Sequence, residues 1–223
     1  MVRARFHIRY RRHLVDSNEL HVDSWDRAFR RFGKQFSREQ LHAQIGKGSD
    51  QYLPEFLTPE EIKRFGKELD EYRSELFTKE YLPKVRPFPK VHELFQRIHD
   101  EDKRIVLASS GKKADTKYYI ELLKIGGLID SYVSGDDADS SKPTPDIFAA
   151  SLEKVRGISP ADAVTVGDTR FDIEAARKAD LKTIALLCDG TRESVLREAG
   201  AIDIDHDPAD FLAHYDEIIK SKR

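Results

Sequence analysis

The chain divides by the rhythm of its apolar residues. From about residue 17 to 82 they recur at three- to four-residue spacing, which predicts helices with one buried face each. Leu20, Trp25, Ala28 and Phe29 share one such face. Ile62, Phe65, Leu69, Tyr72 and Leu76 mark another along the charged stretch from Glu60 to Tyr81. Gly46-Lys47-Gly48 and Leu53-Pro54 cut this block into pieces, and no strand-like run interrupts it.

After Pro83 the rhythm changes. Short apolar runs at Ile105–Ala108, Tyr132–Val133, Ala163–Val166 and Thr183–Leu187 alternate with helical stretches at about 90–99, 114–124, after Pro143 and at 171–179. That alternation predicts a parallel sheet covered on both faces. The expected fold class is α/β. In such sheets ligands lie beyond the carboxyl ends of the strands. The residues after each run are therefore where chemistry is expected.

Composition narrows the reading. At 223 residues the chain suits one or two domains. Its 38 Lys+Arg nearly balance 40 Asp+Glu, for a net charge of -2, so no nucleic-acid partner is expected. Cys188 is the only cysteine, which excludes an intramolecular disulfide and a cysteine-rich zinc site. No apolar run is long enough to span a membrane, and a cytoplasmic setting is expected. The first fifteen residues hold Arg3, Arg5, Arg9, Arg11 and Arg12, with no acid before Asp16. They lack the apolar segment of a secretory signal, and neither a signal nor a transit peptide is expected. A nucleic-acid-binding arm would rest on these arginines alone.

Three segments carry candidate chemistry. Ser109 and Ser110 follow the run Ile105–Ala108. Lys142 lies in Ser140-Ser141-Lys142-Pro143-Thr144-Pro145-Asp146. Asp168 and Asp172 lie in Gly167-Asp168-Thr169-Arg170-Phe171-Asp172. Each has a plain structural reading: the serines as loop starters, Lys142 as a solvated surface lysine, Asp168 as a helix cap. Together, a hydroxyl, a cation and a carboxylate pair are what a phosphate and a magnesium ion require.

The order of these segments resembles motifs two, three and four of the haloacid dehalogenase superfamily. Leu14-Val15-Asp16-Ser17 resembles the tail of its first motif, and Arg86-Pro87-Phe88-Pro89 its return from cap to core. The likeness runs from residue 14 to about 215 and is nearest the phosphoglycolate phosphatase-like subgroup, with the β-phosphoglucomutase-like one beside it. It implies a Rossmann-like three-layer core with a parallel sheet over residues 1–16 and 84–223, with an all-helical domain inserted at 17–83. It also implies a magnesium-dependent phosphatase acting on a small phosphorylated metabolite, such as phosphoglycolate or a sugar phosphate, as a monomer or homodimer. In that family an aspartate of Asp-x-Asp-Gly-Thr forms an aspartyl-phosphate, and the second aspartate is the general acid and base. By the resemblance, Ser109 and Ser110 bind the phosphoryl oxygens and Lys142 orients nucleophile and phosphate. Asp168 holds Mg2+, and Asp172 is a ligand or stands behind one. Lys47, in the helical domain, is a weaker candidate for substrate selection.

The first motif departs from the family. Its slot falls on Arg9-Tyr10-Arg11-Arg12-His13, so Arg9 and Arg11 stand at the nucleophile and acid/base positions. With a pKa above about 12, arginine serves as neither. Arg5-Phe6-His7-Ile8-Arg9-Tyr10-Arg11 also alternates like a half-exposed strand, where a continuous apolar run is expected. The genetic code offers a route back. Ile8 to Leu14 can be written AUC CGA UAU CGA CGG CAC CUN. Read one base later, this gives Ser-Asp-Ile-Asp-Gly-Thr in register. A local frameshift upstream of residue 8, restored near Leu14, is the hypothesis. The competing readings are a catalytically dead phosphate-binding protein and, with the motif restored, a mutase.

Overall fold

A computed structural model describes residues 5–6, 14–137, 141–155, 157–188 and 190–221. The chain forms two compact units, Met1–Asp16 with Pro87–Arg223, and Ser17–Arg86. The return to the first unit falls after Arg86, where the apolar rhythm alone suggested 83, because a 3-10 turn at Leu82–Lys84 prolongs the helical segment.

The helical unit contains α1 (Asn18–Arg31), α2 (Arg38–Ala43), α3 (Ser49–Tyr52), α4 (Pro59–Glu61) and α5 (Lys67–Leu76). From Pro59 the chain stays helical to Tyr81, through π-helical segments at Ile62–Gly66 and Phe77–Tyr81. Polar side chains set the helix starts. The Ser37 hydroxyl accepts from the Gln40 N–H at 3.2 Å while the Gln40 side chain accepts from the Ser37 N–H at 2.9 Å. Thr58 and Glu61 repeat this reciprocal cap at α4. Trp25 and Phe29 on α1 pack with Tyr52, Leu41 and Leu69, and the Trp25 and Tyr52 rings stack at 4.5 Å. Arg73 covers the Trp25 and Phe77 rings at 4.8 and 5.0 Å.

The other unit begins with β1 (Arg5–Phe6) and β2 (Val15–Asp16) and resumes with β3 (Arg86–Pro87). There follow α6 (Val91–Asp100), β4 (Val106–Ala108), α7 (Lys113–Leu123), β5 (Ser131–Val133) and α8 (Asp146–Lys154). The chain closes with β6 (Ala163–Gly167), α9 (Arg170–Lys178), β7 (Lys182–Leu186), α10 (Glu193–Ala199), β8 (Asp203–Asp205) and α11 (Pro208–Ser221). One parallel sheet has the order β1-β6-β7-β8, and β4 pairs in parallel with β5. Arg5 lies level with Ala163 and Phe6 with Val164. The rest of the arginine-rich segment, Arg9 and Arg11 included, lies outside the described residues.

Val106, Ala108 and Val133 share one core with Ile147, Phe148, Ala163, Ala175 and Ala176. Apolar burial of this kind supplies most of the driving force for folding, roughly 25 cal/mol per Å2. The polar exception in β6 is matched across the sheet: the Thr165 and Thr183 hydroxyls bond each other at 2.7 Å. The helix α10, the strand β8 and the helix α11 extend this sheet and its cover beyond the elements the apolar rhythm placed.

Candidate active site

The end of β6 is built around one carboxylate. Asp172 sits at the third position of α9, where the Thr169 hydroxyl accepts its N–H at 3.3 Å. Its Oδ2 reaches back to accept the N–H groups of Asp168 at 3.2 Å and Thr169 at 3.1 Å. Its Oδ1 accepts from Lys142 Nζ at 2.9 Å. Both members of that ion pair are buried, with side chains 2% and 4% exposed. Gly167 makes the turn possible, because a Cβ there would lie 2.7 Å from Asp172 Cβ. The four-residue step between the two aspartates is thus a packing requirement as well as a chemical one.

Lys142 and Asp172 meet although thirty residues separate them. The loop carrying Lys142 is also tied to α9 from outside, where Lys178 Nζ donates to the Pro143 carbonyl at 2.8 Å. A buried pair like this costs about 3–5 kcal/mol when one partner is removed, since the other is left as an uncompensated charge. Asp168, 3% exposed, leaves β6 at the same turn. Its carboxylate is a hard oxygen donor of the kind Mg2+ prefers. Both oxygens of Asp172 are engaged by Lys142 and by backbone N–H groups, which is the geometry of a residue standing behind a ligand.

The serines form a second turn, at the end of β4. The Ser109 N–H donates to the Val133 carbonyl at 2.9 Å, and its Oγ accepts from the Gly111 N–H at 3.1 Å. Gly135 closes over this turn. Its N–H donates to the Gly111 carbonyl at 2.8 Å, and a Cβ on it would lie 2.6 Å from the Ser110 carbonyl oxygen. The Ser110 Oγ is buried with no hydrogen-bond partner. A buried hydroxyl in that state costs about 1–3 kcal/mol unless something takes its bond, so it is a natural donor for a bound anion. Behind the turn, Asp137 is held below the usual carboxylate range by the Ser134 hydroxyl and N–H.

The structure therefore joins Lys142, Asp168 and Asp172 and groups Ser109 with Ser110. Lys47 belongs to the helical unit, where its amine donates to Glu55 at 2.6 Å and its side chain is 8% exposed. Thr169 and Gly135 were not singled out beforehand. Thr169 was legible as the first residue of a Thr-x-x-Asp cap. Gly135 was not, since its need is a contact with a distant loop.

Comparisons with known proteins agree with this architecture. Residues 12–186 match the family described as haloacid dehalogenase-like hydrolase, a span that begins after Arg9 and Arg11. The chain is 26% identical over 195 residues to a phosphorylated carbohydrates phosphatase of Thermotoga maritima, covering 85% of this chain and 88% of that one. It is 30% identical over 125 residues to a phosphoglycolate phosphatase of Aquifex aeolicus, covering 53% and 58% of the two. The crystal structure of a hydrolase from Pseudomonas syringae superposes with a TM-score of 0.83 at 26% identity, over 96% of this chain and 99% of that one. From the match over most of its length and from the turn built at the end of β6, the chain belongs to the haloacid dehalogenase-like hydrolase family.

Proposed function

We propose that this chain carries the site of a phosphate-monoester hydrolase of a small phosphorylated metabolite, a phosphoglycolate or a sugar phosphate, which turns over once its first motif is restored. The observation that carries this is the buried Lys142–Asp172 pair beside buried Asp168 at the carboxyl end of β6. A lysine fixed by a carboxylate behind it offers positive charge to a phosphoryl group without moving. The Ser109 hydroxyl already accepts one hydrogen bond, so its own O–H is left to donate to a phosphoryl oxygen. Ser110 offers a second donor. Asp168 is the residue that fits Mg2+. When bound, the ion neutralises charge on the phosphoryl oxygens and aligns them for displacement. Asp172 then acts as a positioning residue for Lys142 and for the Asp168 backbone.

The attacking group is set by the first motif. With the first motif restored, a carboxylate at position 9 attacks phosphorus and forms an acyl phosphate as the ester P–O bond breaks. An acid at position 11 protonates the departing alcohol. Water then cleaves the acyl phosphate to give inorganic phosphate and the regenerated carboxylate. Arg9 and Arg11 perform neither step. The chain as written holds a phosphate without turning it over, and the one-base shift restores both groups.

The test has two parts. DNA across codons 1 to 17 is sequenced. Phosphate release from p-nitrophenyl phosphate and 2-phosphoglycolate is measured for two chains, with Mg2+ and with chelator. One is the chain as written. The other carries Ile8→Ser, Arg9→Asp, Tyr10→Ile, Arg11→Asp, Arg12→Gly and His13→Thr. The restored chain should hydrolyse in Mg2+ and stop in chelator. Turnover that survives Lys142→Ala and Asp168→Asn would overturn the assignment.

A further inference from the structure

Away from the β6 turn, a second cluster of ligand-type side chains sits where β8 meets α11. Asp205 is the last residue of β8, and Asp210 and His214 lie four apart on α11, hence on one face of that helix. One ligand atom from each lies within 4.8 Å of the others. His214 Nδ1 is 3.2 Å from Asp205 Oδ1 and 3.4 Å from Asp210 Oδ1. Two ligands on a tetrahedral ion with bonds of about 2.1 Å are about 3.4 Å apart, so the spacing suits a shared ion.

The cluster is held in place from outside. The His206 N–H donates to Asp210 Oδ2 at 2.9 Å, which turns Oδ1 toward His214. Asp207 caps the start of α11 by accepting the N–H groups of Ala209 and Asp210 at 2.8 and 2.9 Å. The Leu187 N–H bonds the Asp205 carbonyl at 3.0 Å and fixes the strand end.

A separate observation points to a ligand. Asp205 is only 6% exposed, and its Oδ2 is buried without a hydrogen-bond partner. The cluster lines a cleft of about 580 Å3, whose other walls include Glu193, Asp203 and Glu217. Those acids favour a cation there. A proton on His214 is the rival occupant, since it can bridge the two nearer oxygens. It leaves Asp205 Oδ2 unsatisfied, whereas a divalent ion satisfies that oxygen when the carboxylate turns it onto the metal.

We propose that Asp205, Asp210 and His214 form a second cation site, for a zinc-type divalent ion rather than Mg2+. An imidazole with two carboxylates favours a borderline transition metal, while Mg2+ demands an all-oxygen octahedron. Three protein ligands leave the fourth position facing the cleft, open to water or an anionic ligand. The site ties the edge strand to the last helix and is independent of the phosphatase reading.

The test uses the full chain, stripped with chelator and dialysed against zinc chloride or magnesium chloride, with metal counted per chain. One zinc per chain is expected at micromolar free metal, with Mg2+ failing to displace it. His214→Ala and Asp210→Asn should each weaken zinc binding by at least about tenfold. Asp168→Asn should leave it unchanged. X-ray absorption should show mixed nitrogen and oxygen neighbours at about 2.0–2.2 Å. In chelator the variants should melt with the wild type, which controls for folding. Zinc binding that survives in both His214→Ala and Asp210→Asn, that is lost in Asp168→Asn, or that is absent at micromolar metal would overturn the proposal.

Discussion

Lys142–Asp172 and His214–Asp205 are two versions of one plan. In each, a carboxylate at a strand-to-helix turn meets a nitrogen base. In the first pair both partners are buried. In the second the carboxylate is buried and the imidazole is half exposed. A third pair is the mirror case: Lys103 is buried while its partner Glu101 is partly exposed, and Lys103 also donates to the Tyr215 hydroxyl at 2.8 Å. Full burial on both sides makes a fixed charge, which suits a group that must face a phosphoryl oxygen unchanged. Exposure of the base makes an exchangeable partner, which suits an ion or a proton that comes and goes.

The sharpest way to break this comparison is at Lys142. Lys142→Ala strands the buried Asp172 carboxylate and should cost about 3–5 kcal/mol in urea unfolding. Adding Asp172→Leu should recover part of that loss without restoring phosphate binding. Next comes Gly167→Ala, which drives a Cβ to 2.7 Å from Asp172. It should cost about 1–3 kcal/mol by overpacking and lower phosphate affinity by moving Asp168. Thr169→Ala removes the α9 cap and should cost about 1 kcal/mol in the same assay.

The smallest effect is pH-dependent. Burial opposes the charged form of Glu101, but hydrogen bonds from Lys103 and Arg97 outweigh it and hold the carboxyl below its ordinary range. A depressed carboxyl adds stability above its unfolded pKa and loses it as pH falls through the folded one. Glu101→Gln should therefore lower Tm at pH 7, and the gap to wild type should close in acid. A constant gap across that range would show that Glu101 acts by packing alone.

Much of the site was legible because its chemistry is local. Gly167, Asp168, Thr169 and Asp172 lie within six positions, and Lys142 is marked by the prolines that follow it. The core strands were legible as apolar runs, since strands buried on both faces carry few polar residues. The last three elements, α10, β8 and α11, were not. β8 reads Asp203-Ile204-Asp205, and an edge strand with two carboxylates offers no apolar run. The buried Phe211, Tyr215 and Ile218 do carry helical spacing, so α11 was readable in principle. The Asp205–His214 cluster needed both elements placed before it could be seen. Gly135 and the π-helical segments in the helical unit are set by contacts and backbone geometry that composition does not encode.

The pairing of β1 with β6 has a consequence for how the chain comes to be. Arg5 finds its partner in Ala163. During synthesis that pairing must wait until the chain through Ala163 has left the ribosome. The intervening helical unit, whose contacts are short in sequence, can form in the meantime, as local contacts generally precede distant ones. The pairing of β1 with β6 therefore follows the making of the whole helical unit. A strand that waits so long for β6 is exposed to proteolysis while the chain is being made.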